Sequence, residues 1–301
     1  MRRCAAGSLI GMTLPTRDTT VTYPAGETSG ASTIAHIEER GDGSVAVILD
    51  TTCAHPVDPS WPDQGADRGT LTIGGEAREL RDVLVGAIHE GMLYLGNEVP
   101  VRTGTEGWVF VVAHVIDGPA PELGAEALVE VDAAYRFSLS AAHTACHLAA
   151  LALDEALAEF WTKSAPLDAL GSPAFDRLAI QSSRIAPLVS EDTYRLGKSL
   201  RKKGLPASAF DDPDTIAEHV NERLAQWLAS GAGVRIEADG GDLSGRRHWV
   251  CDLPEGDVSL PCGGTHVTSL SQLSAAVVDF GVSGEGNTRE VLMTTRVTVV
   301  E

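Results

Sequence analysis

Apolar residues run along this chain in two different rhythms. Up to about residue 130 they come in short runs: SVAVIL (44–49), GTLTIGG (69–75), MLYLG (92–96) and WVFVVAHVI (108–116). Runs of this length, bounded by Gly, Pro and Asp, predict β-strands. Turn signals such as GDG (41–43) and GPAPELG (118–124) separate them. Several short strands without intervening helices predict a small β-barrel or sandwich. No internal repeat marks a solenoid or propeller.

The rhythm changes near residue 130. LSAAHTACHLAALALDEALAEFW (139–161) predicts a long helix, with Ser138 and Ser140 as candidate caps. A loop rich in Pro and Gly follows. DPDTIAEHVNERLAQWLASG (212–231) predicts a second helix beginning around Thr215. There Thr215 and Glu218 have capping-box spacing and Gly231 is a plausible C-cap. SAAVVDFGV (274–282), a GEGN turn (284–287) and TREVLMTTRVTVV (288–300) predict a closing β-hairpin. The fold class is α+β. A boundary at about 125–135 divides a β-rich N-terminal domain, residues 1–130, from a mixed domain, residues 131–301.

Composition narrows the function classes. The chain has 301 residues, enough for a substantial core. Lys+Arg number 23 against 42 Asp+Glu, a net charge of −19. Such a surface repels DNA and anionic membranes, although a local basic patch can still touch an RNA end. No apolar run approaches the ~20 residues of a membrane helix. The opening MRRCAAGSLIGM lacks a strongly apolar stretch, so it is not read as a secretion signal, and Met12 is an alternative start. Five scattered cysteines, at 4, 53, 146, 251 and 262, do not form a disulfide framework. A cytoplasmic protein with free thiols is expected.

Two pairs carry the chemistry. His143 and His147, at i and i+4 on the predicted helix, share one face. Alone, such a pair fits ordinary surface histidines as well as a metal site. Cys262 and His266 repeat the spacing in LPCGGTHV, where Gly263 and Gly264 permit a tight backbone. Alone, this is equally a buried cysteine before a turn. Together the pairs offer three imidazoles and a thiolate, a set suited to a zinc ion (Zn2+). Cys146 points about 100° away from His147 on a helix and reads as core packing. Cys4, Cys53 and Cys251 read as structural. His36, His55, His89, His114, His219 and His248 are isolated.

HTACH (143–147) with PCGGTHV (261–267) resembles the paired motifs of the alanyl-tRNA synthetase editing domain and of its free-standing relatives, the AlaX trans-editing proteins. FDRL (175–178), DTIAEHVNERL (214–224) and GEGNTREVLM (284–293) extend the resemblance. VILDTTCAHP (47–56) and DQGADRGTL (63–71) are similar more weakly to the barrel subdomain before the editing core. The resemblance implies an N-terminal β-barrel-like domain followed by an α+β aminoacyl-tRNA editing core, the second additional domain type of threonyl- and alanyl-tRNA synthetases. It implies zinc held by His143, His147, Cys262 and His266. It also implies hydrolysis of the ester joining an incorrect amino acid to the tRNA 3′ end.

The chain departs from the family pattern in three places. The glycine-rich barrel loop is VDPSWPDQG (57–65), which puts amino-acid selectivity in doubt. The Thr-Gln step beyond the first helix is Thr162–Lys163, leaving Thr162 as a candidate contact for a substrate hydroxyl or as an ordinary helix-end residue. Residues 184–213 look inserted and include the basic YRLGKSLRKKG (194–204). There Arg195, Lys198, Arg201, Lys202 and Lys203 either grip acceptor-stem phosphates or form a solvated helix face.

For the chemistry, Cys262 or His266 could be a loose ligand, or zinc could hold the terminal ribose or the amino acid while a separate water attacks. The N–H groups of Gly263 and Gly264 are candidate oxyanion donors. Thr265 and Asp257 are candidates to orient water. The expected targets are Ser- or Gly-tRNA(Ala), or a threonyl or other β-hydroxy acyl group on its tRNA. Two alternatives remain open: a metallohydrolase for a small non-tRNA ester or amide, and a catalytically inactive zinc-stabilised binding module. The expected partner is the acceptor end of an aminoacyl-tRNA, with no membrane and no DNA. Oligomeric state is not legible.

Overall fold

The computed structural model describes residues 14–285 and 288–300. Cys4, the Met12 alternative and the last two residues of the GEGN turn lie outside them.

The first half builds one eight-stranded antiparallel sheet. Its strands are β2 (Ser29–Glu39), β3 (Val45–Leu49), β5 (Gly69–Ile73), β6 (Glu76–Glu79), β7 (Asp82–His89), β8 (Met92–Leu95), β9 (Val109–Ile116) and β10 (Glu126–Val131), in the order β6-β5-β10-β2-β3-β9-β7-β8. A small parallel pair, β1 (Thr20–Val21) with β4 (Thr51–Thr52), stands apart. The edge strands β6 and β8 do not pair, so the expected barrel is not closed by hydrogen bonds among the described residues.

The central strands explain the uninterrupted apolar runs. Val45, Val47 and Leu49 of β3 enter one core, while Ala46 and Ile48 enter another on the opposite face. In β9, Phe110, Val112 and Ile116 go one way, and Val111 and Ala113 the other. Side chains alternate faces along a strand, so a strand covered on both sides loses its polar alternation. His114 is a satisfied core residue. Its Nδ1 lies 3.0 Å from the Val47 carbonyl and its Nε2 2.8 Å from the Thr52 hydroxyl.

The second half has two sheets. One is four-stranded, in the order β11 (Ile180–Ala186), β12 (Val189–Leu196), β17 (Thr288–Val299), β16 (Leu273–Glu285). The other is β13 (Val234–Ala238), β14 (Arg247–Leu253) and β15 (Gly256–Pro261). Helix α1 (Ala133–Ala156) packs on both β12 and β17, and short helices α2 (Phe175–Ala179) and α3 (Lys198–Lys203) precede α4 (Pro213–Ser230). The expected closing hairpin forms as β16–β17. Its second core contains Leu148, Leu224, Trp227, Trp249 and Met293.

Both helix starts differ from the sequence expectation. Helix α1 begins at Ala133, because Asp132 caps it by accepting the Tyr135 N–H at 3.0 Å. Ser138 and Ser140 are inside the helix. Ser138 turns its hydroxyl back to the Tyr135 carbonyl at 2.6 Å, which a helix tolerates. The helix ends at Ala156, and residues 158–160 tighten into a 3₁₀ turn. In α4 the cap is Asp212, with Pro213 in the first turn. Thr215 gives both its N–H and its hydroxyl to Asp212, at 3.2 and 2.8 Å, so it is a capped residue rather than the cap. Gly231 closes α4 at φ +62°, as expected.

The halves are tied together. Arg136 of α1 makes a buried ion pair with Asp67 and donates to the Cys53 carbonyl at 2.8 Å. Asp67 also accepts the His55 N–H at 2.5 Å. Leu243 returns from the second half into the first core. The Ile185 N–H of β11 donates to the Asp63 carbonyl at 2.7 Å. Among the described residues, no helix is long and apolar enough to cross a membrane.

Candidate metal centre and its cavity

The two motif pairs meet. The ligand atoms of His143, His147, Cys262 and His266 all lie within 4.8 Å of one another. Helix α1 supplies the first two, with ring centroids 4.9 Å apart. The segment leaving β15 supplies the others, fixed by the Cys262 N–H donating to the Arg247 carbonyl at 3.1 Å. The Cys262 sulfur stands 3.5 Å from His143 Nε2 and 3.2 Å from His266 Nε2. A tetrahedral zinc with bonds of about 2.0–2.3 Å needs ligand separations of roughly 3.3–3.7 Å. The Nε2 of His147 is buried without a hydrogen-bond partner. An orphaned imidazole nitrogen beside a thiol and two further imidazoles fits a cation better than a hydrogen-bond network.

A neighbouring side chain fixes the tautomer of His143. The Gln64 side-chain oxygen accepts the Thr265 backbone N–H at 3.0 Å, which identifies that atom as the amide oxygen. The same oxygen is 2.8 Å from His143 Nδ1, so this nitrogen carries the proton. The Nε2 lone pair is thereby left for the centre. Gln64 also donates to the Thr265 hydroxyl at 2.9 Å, and Ser140 donates to that hydroxyl at 2.8 Å. The Nδ1 of His266 lies 3.2 Å from the Thr144 hydroxyl. Gly264 leaves room for this. A Cβ there would stand 2.5 Å from His143 Nδ1 and 2.7 Å from the Gln64 oxygen.

Burial sets the protonation states. It lowers His147 to about 4 and holds His143 and His266 well below the usual imidazole range. All three rings are therefore neutral, the form that binds metal. Burial pushes the Cys262 thiol up to about 12, against the Gly264 N–H that favours its thiolate. A cation within bonding distance reverses that balance.

The centre borders a cavity of about 530 Å³, lined by His147, Cys262, Gly263, Gly264, Trp61, Asp63 and the segment 243–248. Trp61 is 43% exposed. Arg246 is exposed and makes no ion pair among the described residues. Arg247 is committed to the wall, donating to the Leu243 and Asp242 carbonyls. A larger hollow of about 700 Å³ beside Glu38, Asp42 and Glu98 borders none of the cluster residues.

The other sequence candidates scatter. Thr265 is buried beside the cluster with its hydroxyl already committed to Gln64 and Ser140. Its N–H goes to Gln64, and the Gly264 N–H goes to the Cys262 sulfur, which leaves Gly263 as the remaining oxyanion candidate. Asp257 is exposed at the turn end of the β14–β15 hairpin, opposite Asp252. Cys262 is five positions further along the strand, about 16 Å away. Thr162 is not among the cavity-lining residues and donates its hydroxyl to the Gly204 carbonyl at 2.9 Å. Lys198, Lys202 and Lys203 are exposed on α3, while Arg201 is half-buried. Arg195 is on β12 opposite Glu290. Cys146 packs with Leu139 and Ile185, its thiol 3.3 Å from the Asp192 carboxylate.

Sequence reasoning assigned no role to Gln64, Asp63 or Thr144, and read Ser140 only as a candidate helix cap. Gln64 and Asp63 sit in the quoted DQGADRGTL stretch, but nothing local marks a glutamine for contact with a histidine 79 positions away.

No family model matches the chain. It is 28% identical over 256 residues to the alanine–tRNA ligase of Frankia casuarinae, 29% over 255 residues to that of Frankia alni, and 29% over 249 residues to that of a Nocardioides species. These similarities cover 79–83% of this chain and 22–24% of the ligases. The chain therefore spans about a quarter of the length of the curated relatives it matches.

Proposed function

We propose that the chain is a zinc-dependent deacylase that edits mischarged aminoacyl-tRNA in the cytoplasm. The observation that carries this reading is the convergence of three imidazoles and a thiol beside a cavity that His147 and Cys262 line. The similarity to alanine–tRNA ligases across most of the chain supports a tRNA-related substrate. The proposed organisation is a β-rich domain of residues 1–130 beside an editing core of residues 131–301, working in trans in the manner of AlaX proteins.

In the reaction, water adds to the ester carbonyl and the bond to the ribose oxygen breaks. That oxygen takes the proton, leaving a free amino acid and an uncharged tRNA. His143, His147, Cys262 and His266 would hold the zinc, which supplies Lewis-acid polarisation of a carbonyl or a hold on the substrate. The His147–Cys262 edge borders the cavity, so the acyl group reaches the centre there. The Gly263 N–H is placed to stabilise developing negative charge. Trp61 at the cavity offers a stacking face for the terminal base, and Arg246 a phosphate contact. The exposed lysines of α3 offer further phosphate contacts along the stem.

The proposed acyl targets are serine or glycine on tRNA(Ala), or a threonyl or β-hydroxy analogue on its own tRNA. The test is hydrolysis of Ser-, Gly- and Ala-tRNA(Ala) and of Thr- and Ser-tRNA(Thr), with His143→Ala alongside. Selective hydrolysis that the variant loses supports the reading. A wild type that holds zinc and cleaves none of them leaves the binding-module alternative. One observation favours a small-ester hydrolase instead: Asp58 and Asp63 border the same cavity and repel phosphate. That enzyme would cleave a simple aminoacyl ester as fast as the charged tRNA.

A further inference from the structure

Asp63 is held in place at the cavity but pairs with no Lys or Arg among the described residues. Its carbonyl accepts the Ile185 N–H of β11, and its own N–H donates to the Trp61 carbonyl at 2.9 Å. One carboxylate oxygen, Oδ1, accepts the Gln64 N–H at 2.7 Å. The other, Oδ2, lies 3.7 Å from His143 Nε2, the nitrogen turned toward the centre. The Asp63 side chain is 23% exposed and borders the cavity. Among the described residues, no Lys or Arg pairs with it. Burying a carboxylate without a cation is costly, so a site that keeps one at a cavity wall is suited to a cationic ligand group.

The neighbouring carboxylate is different. Asp58 accepts both the N–H and the hydroxyl of Ser60 on one oxygen, Oδ1, at 2.8 and 2.7 Å, and makes no hydrogen bond or ion pair with the four cluster residues among the described residues. Asp63 Oδ2 is the carboxylate oxygen left facing the cluster.

We propose that Asp63 seats the α-ammonium group of the acyl substrate and so restricts the site to aminoacyl groups with a free amine. The inference rests on the proposed deacylase reading. In an α-amino ester the nitrogen is two bonds from the carbonyl carbon. With the carbonyl at the His147–Cys262 edge, the ammonium falls within a few ångströms of the cluster, where Oδ2 stands. An N-acylated substrate brings a neutral, bulkier amide to the same place and leaves the carboxylate unpaired. A charge-assisted hydrogen bond of this kind corresponds to about 10–100-fold in affinity.

The test uses two amide-linked probes that cannot be hydrolysed, 3′-L-serylamino-3′-deoxyadenosine and its N-acetyl derivative. Binding to the zinc-loaded protein is followed by calorimetry for wild type, Asp63→Asn and Asp58→Asn. Wild type is expected to prefer the free amine by about tenfold or more, Asp58→Asn to keep that preference, and Asp63→Asn to lose it with zinc content unchanged. The proposal is overturned by an Asp63→Asn protein that still prefers the free amine. It is overturned equally by one that has lost its zinc, which would make Asp63 part of the centre, or by a wild type that binds neither probe. Failure of the tRNA reading looks different. L-Serinamide, which has no nucleoside, would bind as tightly as the free-amine adenosine probe and with the same dependence on Asp63.

Discussion

Gln64 and His143 share a hydrogen bond of 2.8 Å that joins a loop of the first half to the metal-facing helix of the second. Its direction is fixed by a third group, the Thr265 N–H, which occupies the same glutamine oxygen. The bond therefore decides which nitrogen of His143 is free for the centre.

Gln64→Ala is expected to lower zinc affinity by about 10–100-fold while leaving the fold intact. The variant frees the His143 ring to rotate and exchange tautomers. Competition against a chromophoric chelator measures this. Affinity equal to wild type would mean that the helix alone positions the ring.

Gly264→Ala and Gly263→Ala form an internally controlled pair. A Cβ at Gly264 falls within 3.0 Å of both His143 and Gln64, each already locked by hydrogen bonds, whereas one at Gly263 meets nothing within 4 Å. Overpacking of this kind costs roughly 1–3 kcal/mol. Gly264→Ala is expected to unfold at lower denaturant and bind zinc more weakly, with Gly263→Ala close to wild type on both counts. Equal behaviour of the two variants would contradict the packing.

Removing the metal is expected to lower the midpoint of thermal unfolding, because the cluster binds only in the folded chain. Dialysis against a chelator followed by thermal denaturation shows the drop, and restoring zinc reverses it. In His143→Ala the chelator should have much less effect. A wild-type midpoint indifferent to chelator would argue that the four residues do not bind metal.

Asp154 supplies a pH dependence away from the centre. Burial, assisted by the charges of Asp176 and Asp168, raises its carboxyl from 3.8 to about 8. The folded state thus holds a proton that the unfolded chain releases at a lower pH. Its contribution to stability is fully present below about 4 and is lost as pH rises through about 8. Asp154→Asn still accepts the Asp176 N–H, a bond of 2.8 Å, and does not titrate. Its stability relative to wild type is expected to rise across that window by at most about 1.4 kcal/mol per pH unit, then level off. Urea denaturation between about pH 5 and pH 8 tests this, and a flat difference would refute it.

Arg136→Ala strands Asp67 as a buried, unpaired charge, a change that typically costs about 3–5 kcal/mol. Double replacement of the pair by apolar residues is expected to recover much of that loss. A denaturation series on the single and double variants makes the comparison.

The sequence by itself showed some of the elements and the candidate metal cluster, but not the α2–β11–β12–α3 segment, which reads as a loop, or β13–β15. Strand runs, the two long helices and the closing hairpin were legible because they are encoded within a few neighbouring residues. The four candidate ligands were legible because i and i+4 spacing places pairs on one side of the chain. Tertiary structure decided the rest. Apolar runs alone could not tell a closed barrel from an open sheet, since closure depends on whether the edge strands β6 and β8 meet. Asp132 and Asp212 outcompeted the nearby hydroxyl residues as caps, because the chain turns into each helix at the aspartate. Asp257 is close to Cys262 in sequence but about 16 Å away along an extended strand. Gln64 and Thr265 are 201 positions apart and hydrogen-bonded. Local patterns report the geometry of short segments, whereas side-chain environment depends on which distant segment packs opposite.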